Sequence, residues 1–142
     1  MAIEHDIVRI GRHRLWIEEP YTLVIMADGD MNVDDARSMA LLASKIGQGN
    51  GPIIILQDMT KAGGFPASAR ELVIREPQAQ RLAAVISYGA SFHLRVILTM
   101  IVRAMGWIRR DMLRMSFAVN EAEARSVLET ERERLRMQLQ TA

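Results

Sequence analysis

Cysteine is absent from this 142-residue chain. That removes a disulfide framework, thiolate catalysis and cysteine-bound zinc, and nothing argues for an oxidising compartment. Aromatic residues make up only 5% of the sequence, so its dispersed arginines lack a stacking platform and nucleic acid is not expected as a partner. Neither sign of charge dominates: 18 Lys and Arg stand against 17 Asp and Glu, and the net charge of +1 says nothing about partners. The opening MAIEHDIVRIGRHR mixes acids and bases into short apolar stretches, unlike a signal peptide. The most apolar helix-like segment is too short and too charged to span a bilayer. A cytoplasmic location is therefore expected. With 49% hydrophobic and 25% charged residues the chain is unlike a disordered one, and its length suits a single domain over residues 1–142.

The stretch around which the rest is organised is PIIILQDMTKAGGFPASARELVIR, Pro52 to Arg75. Ile53 to Leu56 is a short β-branched apolar run bounded by Gly and Pro, the pattern of a strand buried on both faces. Asp58 to Gly64 supplies turn residues, and Pro66 suits the first turn of a following helix. Before it, Ile7 to Ile10, His13 to Glu18 and Tyr21 to Ala27 read as strands of two hairpins. Asn32 with Asp35 then forms a capping-box-like start to a helix with Val33, Ala36, Met39, Ala40, Ala43 and Ile46 on one face. After it come a strand at Leu82 to Tyr88, a helix from Phe92 to about Ile108 capped by Ser91, a strand at Met115 to Val119, and a last helix opened by Asn120 and Glu123. The expected fold is α/β with a mixed, mainly parallel central sheet and flanking helices in the order βββαβαβαβα. The final helix, about residues 120–139, has few apolar positions and is expected to project in part, packing only along Leu128, Leu135 and Leu139.

Several signals suggest chemistry and fall short of it. Asp28, Asp30 and Asn32 match the first ligands of a calcium loop, but Val33 and Met39 stand where its Gly and Glu belong, so a capped strand-to-helix turn explains them. Gly47, Gly49 and Gly51 follow a helix and precede a strand, the reverse of a phosphate-cradling loop, and read as helix termination. Gly63 and Gly64 do precede a helix, whose N-terminus favours anions, but no Gly-Lys-Ser/Thr follows. Ser91 and His93 adjoin without a nucleophile elbow, and Ser91 is better used as a cap. His5 and His13 lack metal-ligand spacing and are expected at the surface or at an edge. No metal, cofactor or enzyme activity is implied. The segment SFHLRVILTMIVRAMGWIRR is apolar almost all round, with Arg95, Arg103, Trp107, Arg109 and Arg110 near its edges. Such a helix is buried and in contact with a second copy, giving a homo-oligomer, or else faces lipid or another apolar ligand in a peripheral membrane contact.

IIILQDMT followed by a Pro-Ala-Ser helix start, LAAVISYGAS, and the closing SFAVNEAEARSVL together resemble the STAS domain superfamily. The likeness is greatest to its SpoIIAA-like branch, related to anti-sigma factor antagonists and to lipid-binding CRAL-TRIO-like domains, and covers roughly Arg12 to Leu128. The resemblance implies a non-enzymatic regulatory module that binds a protein partner. In the antagonists an Asp ends the central strand and a Ser at the next helix start is phosphorylated; Asp58 and Ser68 match those positions. This chain reads Phe65-Pro66-Ala67-Ser68 where the antagonists carry Asp-Ser-Ser-Gly. The expected contact surface is the loops around Asp58 to Ser68 and Gly89 to Ser91, with Asp58, Thr60, Lys61, Gly63, Gly64, Ser68, Arg70 and Ser91 as its residues. The alternative is a carrier or sensor of a lipid through the helix 92–108, with Phe92, Val96, Met100, Met105 and Trp107 as the apolar contacts.

Overall fold

The computed structural model describes residues 5–109 and 113–141. Its elements in chain order are β1 (Val8–Ile10), β2 (His13–Glu18), β3 (Thr22–Gly29), α1 (Val33–Ala43), β4 (Ile53–Ala62), α2 (Ala67–Arg75), β5 (Leu82–Tyr88), α3 (Phe92–Arg109), β6 (Arg114–Ala118) and α4 (Glu121–Thr141). They form an α/β fold on one six-stranded sheet in the spatial order β1-β2-β3-β4-β5-β6. The hairpins make the first three strands antiparallel, and the helical connections make β3 to β6 parallel.

Alternation along β4 divides the core between the two faces of the sheet. Ile53 and Ile55 join Leu23, Met39, Ala69 and Ile101 on the face covered by α1, α2 and α3. Ile54 and Leu56 join Val24, Ile86, Leu128 and Leu135 on the face covered by α4. With neighbours on both edges and helices on both faces, a run of apolar β-branched residues is what this position requires.

Four readings need correction. The central strand does not turn at Asp58; it continues through Met59, which is buried, to Ala62. The register shifts between Met26 and Asp28 of β3, with one extra residue in β4 between Asp58 and Lys61, and pairing resumes so that Asp28 meets Lys61 and Gly29 meets Ala62. Strand residues with turn propensity are here overridden by a partner strand. The first helix stops at Ala43 rather than reaching Ile46, which is buried on a separate 3-10 turn. Pro66 is the residue before α2, in extended conformation, instead of lying within its first turn. His13 is not at the surface: its ring is buried, Nδ1 accepts from the Asp28 N–H at 3.0 Å, and Nε2 lies 3.0 Å from the Asp30 carbonyl. That pairing assigns the proton to Nε2, which donates to the carbonyl, and makes His13 a structural tie between β2 and the end of β3.

The caps agree with their sequence signatures. Asn32 and Asp35 form a reciprocal capping box, Ser91 Oγ accepts from the Leu94 N–H at 3.2 Å, and Asn120 Oδ1 accepts from the Glu123 N–H at 2.9 Å. The last helix attaches by charge as well as by Leu128 and Leu135. Glu131, 3% exposed, accepts from Arg114 Nε at 2.8 Å and Arg134 Nε at 2.9 Å. Arg132 reaches the Glu18 carbonyl and Thr22 Oγ1, and Arg125 pairs with Glu18. Burial alone would raise both carboxyls, but the arginines outweigh it and hold Glu18 and Glu131 below the ordinary range. Leu139 stays exposed.

Candidate functional site

Between the sheet and the three-helix layer the packing leaves an apolar cavity of ≈140 Å³. Its floor is Leu23, Ile25, Ile53, Ile55 and Val85 from β3, β4 and β5; its roof is Met39 and Ala43 from α1, Val73 from α2, and Leu98, Ile101 and Met105 from α3. The roof residues recur at helical spacing, so each helix presents one apolar stripe to the void. Three of its lining residues carry polar side chains: Gln57 inside, and Glu76 and Gln78, which are half-buried beside the 3-10 turn after α2. Gln57 is itself buried and donates from Nε2 to Ser87 Oγ at 2.8 Å, which ties β4 to β5 at the inner end of the void. A cavity of this size and lining is comparable to one of about 150 Å³ that stays dry and accepts benzene or xenon.

The helix α3 has two distinct apolar faces. Leu94, Leu98, Ile101 and Met105 repeat every three or four residues and are all buried. Met105, expected with Phe92, Val96 and Met100 as one set of apolar contacts, is separated from them: at 2% exposed it lines the cavity. Phe92, Val96 and Met100 lie on the opposite side and remain 75%, 42% and 59% exposed. The Trp107 side chain and Arg110 lie outside the described residues. Among the described residues no helix is long and apolar enough to cross a membrane.

The residues expected around the end of the central strand are used locally. Asp58 Oδ1 accepts from the Thr60 N–H at 2.9 Å and from Thr60 Oγ1 at 2.5 Å. Tyr88, on the neighbouring strand, pairs in register with Asp58; burial, and then the Asp58 charge, push its hydroxyl up to about 12. Gly63 and Gly64 hold the chain against the end of β3: Gly63 N–H donates to Gly29 O at 2.8 Å and Gly64 N–H to Asp30 Oδ1 at 2.5 Å. A Cβ on Gly63 would come within 2.9 Å of the Asp30 backbone, so close approach, and not a phosphate, accounts for this glycine. Lys61 and Ser68 are exposed, Arg70 is half-buried, and Ser91 is spent as the α3 cap. Among the described residues no side-chain hydrogen bond or ion pair links Ser68 or Arg70 to Asp58.

The acidic pattern at the end of β3 is likewise explained by the fold. Arg12 donates to Asp28 Oδ1 at 2.7 Å, Asp30 receives Gly64, and Asn32 caps α1. Among the described residues no group of three or more His, Cys, Asp or Glu is arranged to hold a metal ion. Sequence reasoning did not single out Gln57 as a cavity residue. Its one signal was a polar residue at an inward position of the most apolar strand. No protein-family model matches the chain, and no curated protein gives a significant match.

Proposed function

We propose that this protein is a non-enzymatic α/β binding module whose ligand is a small apolar molecule, or the end of a longer alkyl chain, held between the sheet and α1, α2 and α3. The observation that carries this reading is the ≈140 Å³ apolar void with a single polar side chain, Gln57, away from its half-exposed edge. Such a lining rewards burial of apolar surface by about 25 cal/mol per Å² and gives one polar group to orient the guest. The volume sets the class: a ring or a few carbons fit without displacing a helix, whereas a whole acyl chain does not. Of the resemblances in the sequence, the one to lipid-binding CRAL-TRIO-like domains supports this reading, whereas the one to SpoIIAA-like STAS domains implies a protein partner; membership of that superfamily is part of the proposal. Native mass spectrometry of purified protein tests it by reporting copy number and retained ligand together. Titration of ligand-free protein with benzene or a short alkyl alcohol should raise the unfolding temperature, because a ligand that binds only the folded state stabilises it by RT ln(1 + [L]/Kd). No retained ligand and no stabilisation by either compound would refute it.

A second reading, recognition of a protein partner, is favoured by the exposure of Lys61 and Ser68 beside the end of β4. Phosphorylation of Ser68 would add a dianion on the first turn of α2, where the helix dipole favours it, and would reverse the local charge presented to a partner.

A further inference from the structure

We propose that the outer face of α3 docks this protein on an anionic lipid bilayer. Phe92, Val96 and Met100 stand four residues apart and form one exposed apolar stripe, on the side of the helix opposite the buried Leu94 and Leu98. At the helical pitch His93 and Arg95 fall on either flank of the stripe, and Arg103 continues it one turn further on. The whole of α3 contains no acidic residue. Among the described residues no carboxylate pairs with Arg95 or Arg103; the Arg95 guanidinium instead lies 5.9 Å from the centre of the Phe92 ring. An apolar stripe bordered by Arg95 and Arg103, on a helix without an acidic residue, matches the acyl boundary and the negatively charged headgroups of a bilayer surface, the geometry of an interfacial helix. The arginines extend toward the headgroups while their stems cover apolar surface. A protein partner or a second copy would need carboxylates facing this rim, and α3 has none to offer a second copy of itself. The attachment is peripheral and reversible, since three side chains are few beside those of an anchored helix.

This inference does not rest on the occupant of the cavity. The test is flotation of the full chain with phosphatidylcholine vesicles containing phosphatidylserine, against pure phosphatidylcholine vesicles. The protein should float with the anionic vesicles only, and raised salt should release it. Arg103→Glu should weaken partitioning about fivefold or more, in line with the contribution of one cation near a charged membrane. Arg136→Glu, a matched change on α4 at the other face of the sheet, should leave partitioning unaltered. Combined Phe92→Ser, Val96→Ser and Met100→Ser, all at exposed positions, should lower it by about tenfold or more while the melting temperature holds. Ala43→Leu, which fills the cavity from α1, should abolish ligand stabilisation and leave flotation intact, which separates this inference from the ligand reading. Absence of flotation, flotation insensitive to the α3 variants, or a dimer in solution that the triple variant dissociates would overturn the proposal.

Discussion

Replacing Ala43 by leucine tests whether the space beneath the helices is a true void. Ala43 is 6% exposed, lies on the inner stripe of α1 and lines the cavity. In a filled core the three added carbons would force neighbours off their rotamers and cost roughly 1–3 kcal/mol. Into ≈140 Å³ of empty apolar space they enter without displacing anything. Burial at about 0.8 kcal/mol per carbon sets an upper limit of roughly 2.4 kcal/mol. Fixing the leucine rotamer takes back about 0.5–1 kcal/mol and the helix propensity difference a few tenths more. The expected net gain is about 1 kcal/mol, or a rise of roughly 3–5 °C in Tm for a domain of this size. Thermal unfolding followed by circular dichroism, with and without benzene, measures both consequences: the variant should melt higher, and the benzene-dependent rise seen in the parent should vanish. A variant that loses more than about 1 kcal/mol and still responds to benzene would show that Ala43 faces packed atoms and that the cavity lies elsewhere or does not exist.

Ile54→Asp should unfold the protein, since Ile54 is fully buried between β3, β5 and α4 and an unpaired carboxylate there costs several kcal/mol, comparable to the whole stability; a variant that melts like the parent would refute the central placement of β4. The Arg114–Glu131–Arg134 cluster should respond asymmetrically. Glu131→Gln leaves two partly exposed arginines that water can solvate and should cost about 1–2 kcal/mol, whereas replacing both arginines by methionine strands a buried carboxylate at roughly 3–5 kcal/mol, as read from urea unfolding. Because Glu18 and Glu131 are held below the ordinary value of 4.5 in the folded protein, their contribution is complete above that pH and is lost as pH falls through the lower folded values. The parent should therefore lose stability on acidification more steeply than Glu131→Gln. Gly63→Ala should destabilise by about 1–3 kcal/mol because backbone must move, and Gly64→Ala, which meets only the Asp30 carboxylate at 3.3 Å, should cost less; equal melting temperatures would remove the close-approach account. Ser68→Glu, at an exposed first-turn position, should change stability by no more than about 0.5 kcal/mol.

The sequence by itself determined the element order, the three helix caps and the doubly buried character of β4, because these depend on local periodicity and on side chains reaching a backbone N–H only three residues away. It also marked α3 as unusually apolar. Only the tertiary structure decided how that apolar surface divides: Met105 turns inward to the cavity while Phe92, Val96 and Met100 face out, a partition set by which side of the helix lies over the sheet. The burial of His13 and Glu131 was hidden for the same reason, since the groups that satisfy them, Asp28 and Asp30 for one and Arg114 for the other, come from other elements and a polar residue carries no local sign of its distant partner. Asp58 to Ala62 read as a turn because propensity counts residues one by one, and became strand because β3 supplied a hydrogen-bonding edge on both sides of the register shift. The cavity belongs wholly to the tertiary level: each of its walls is an ordinary core stripe, and the void exists because the stripes of three helices and one sheet do not quite meet.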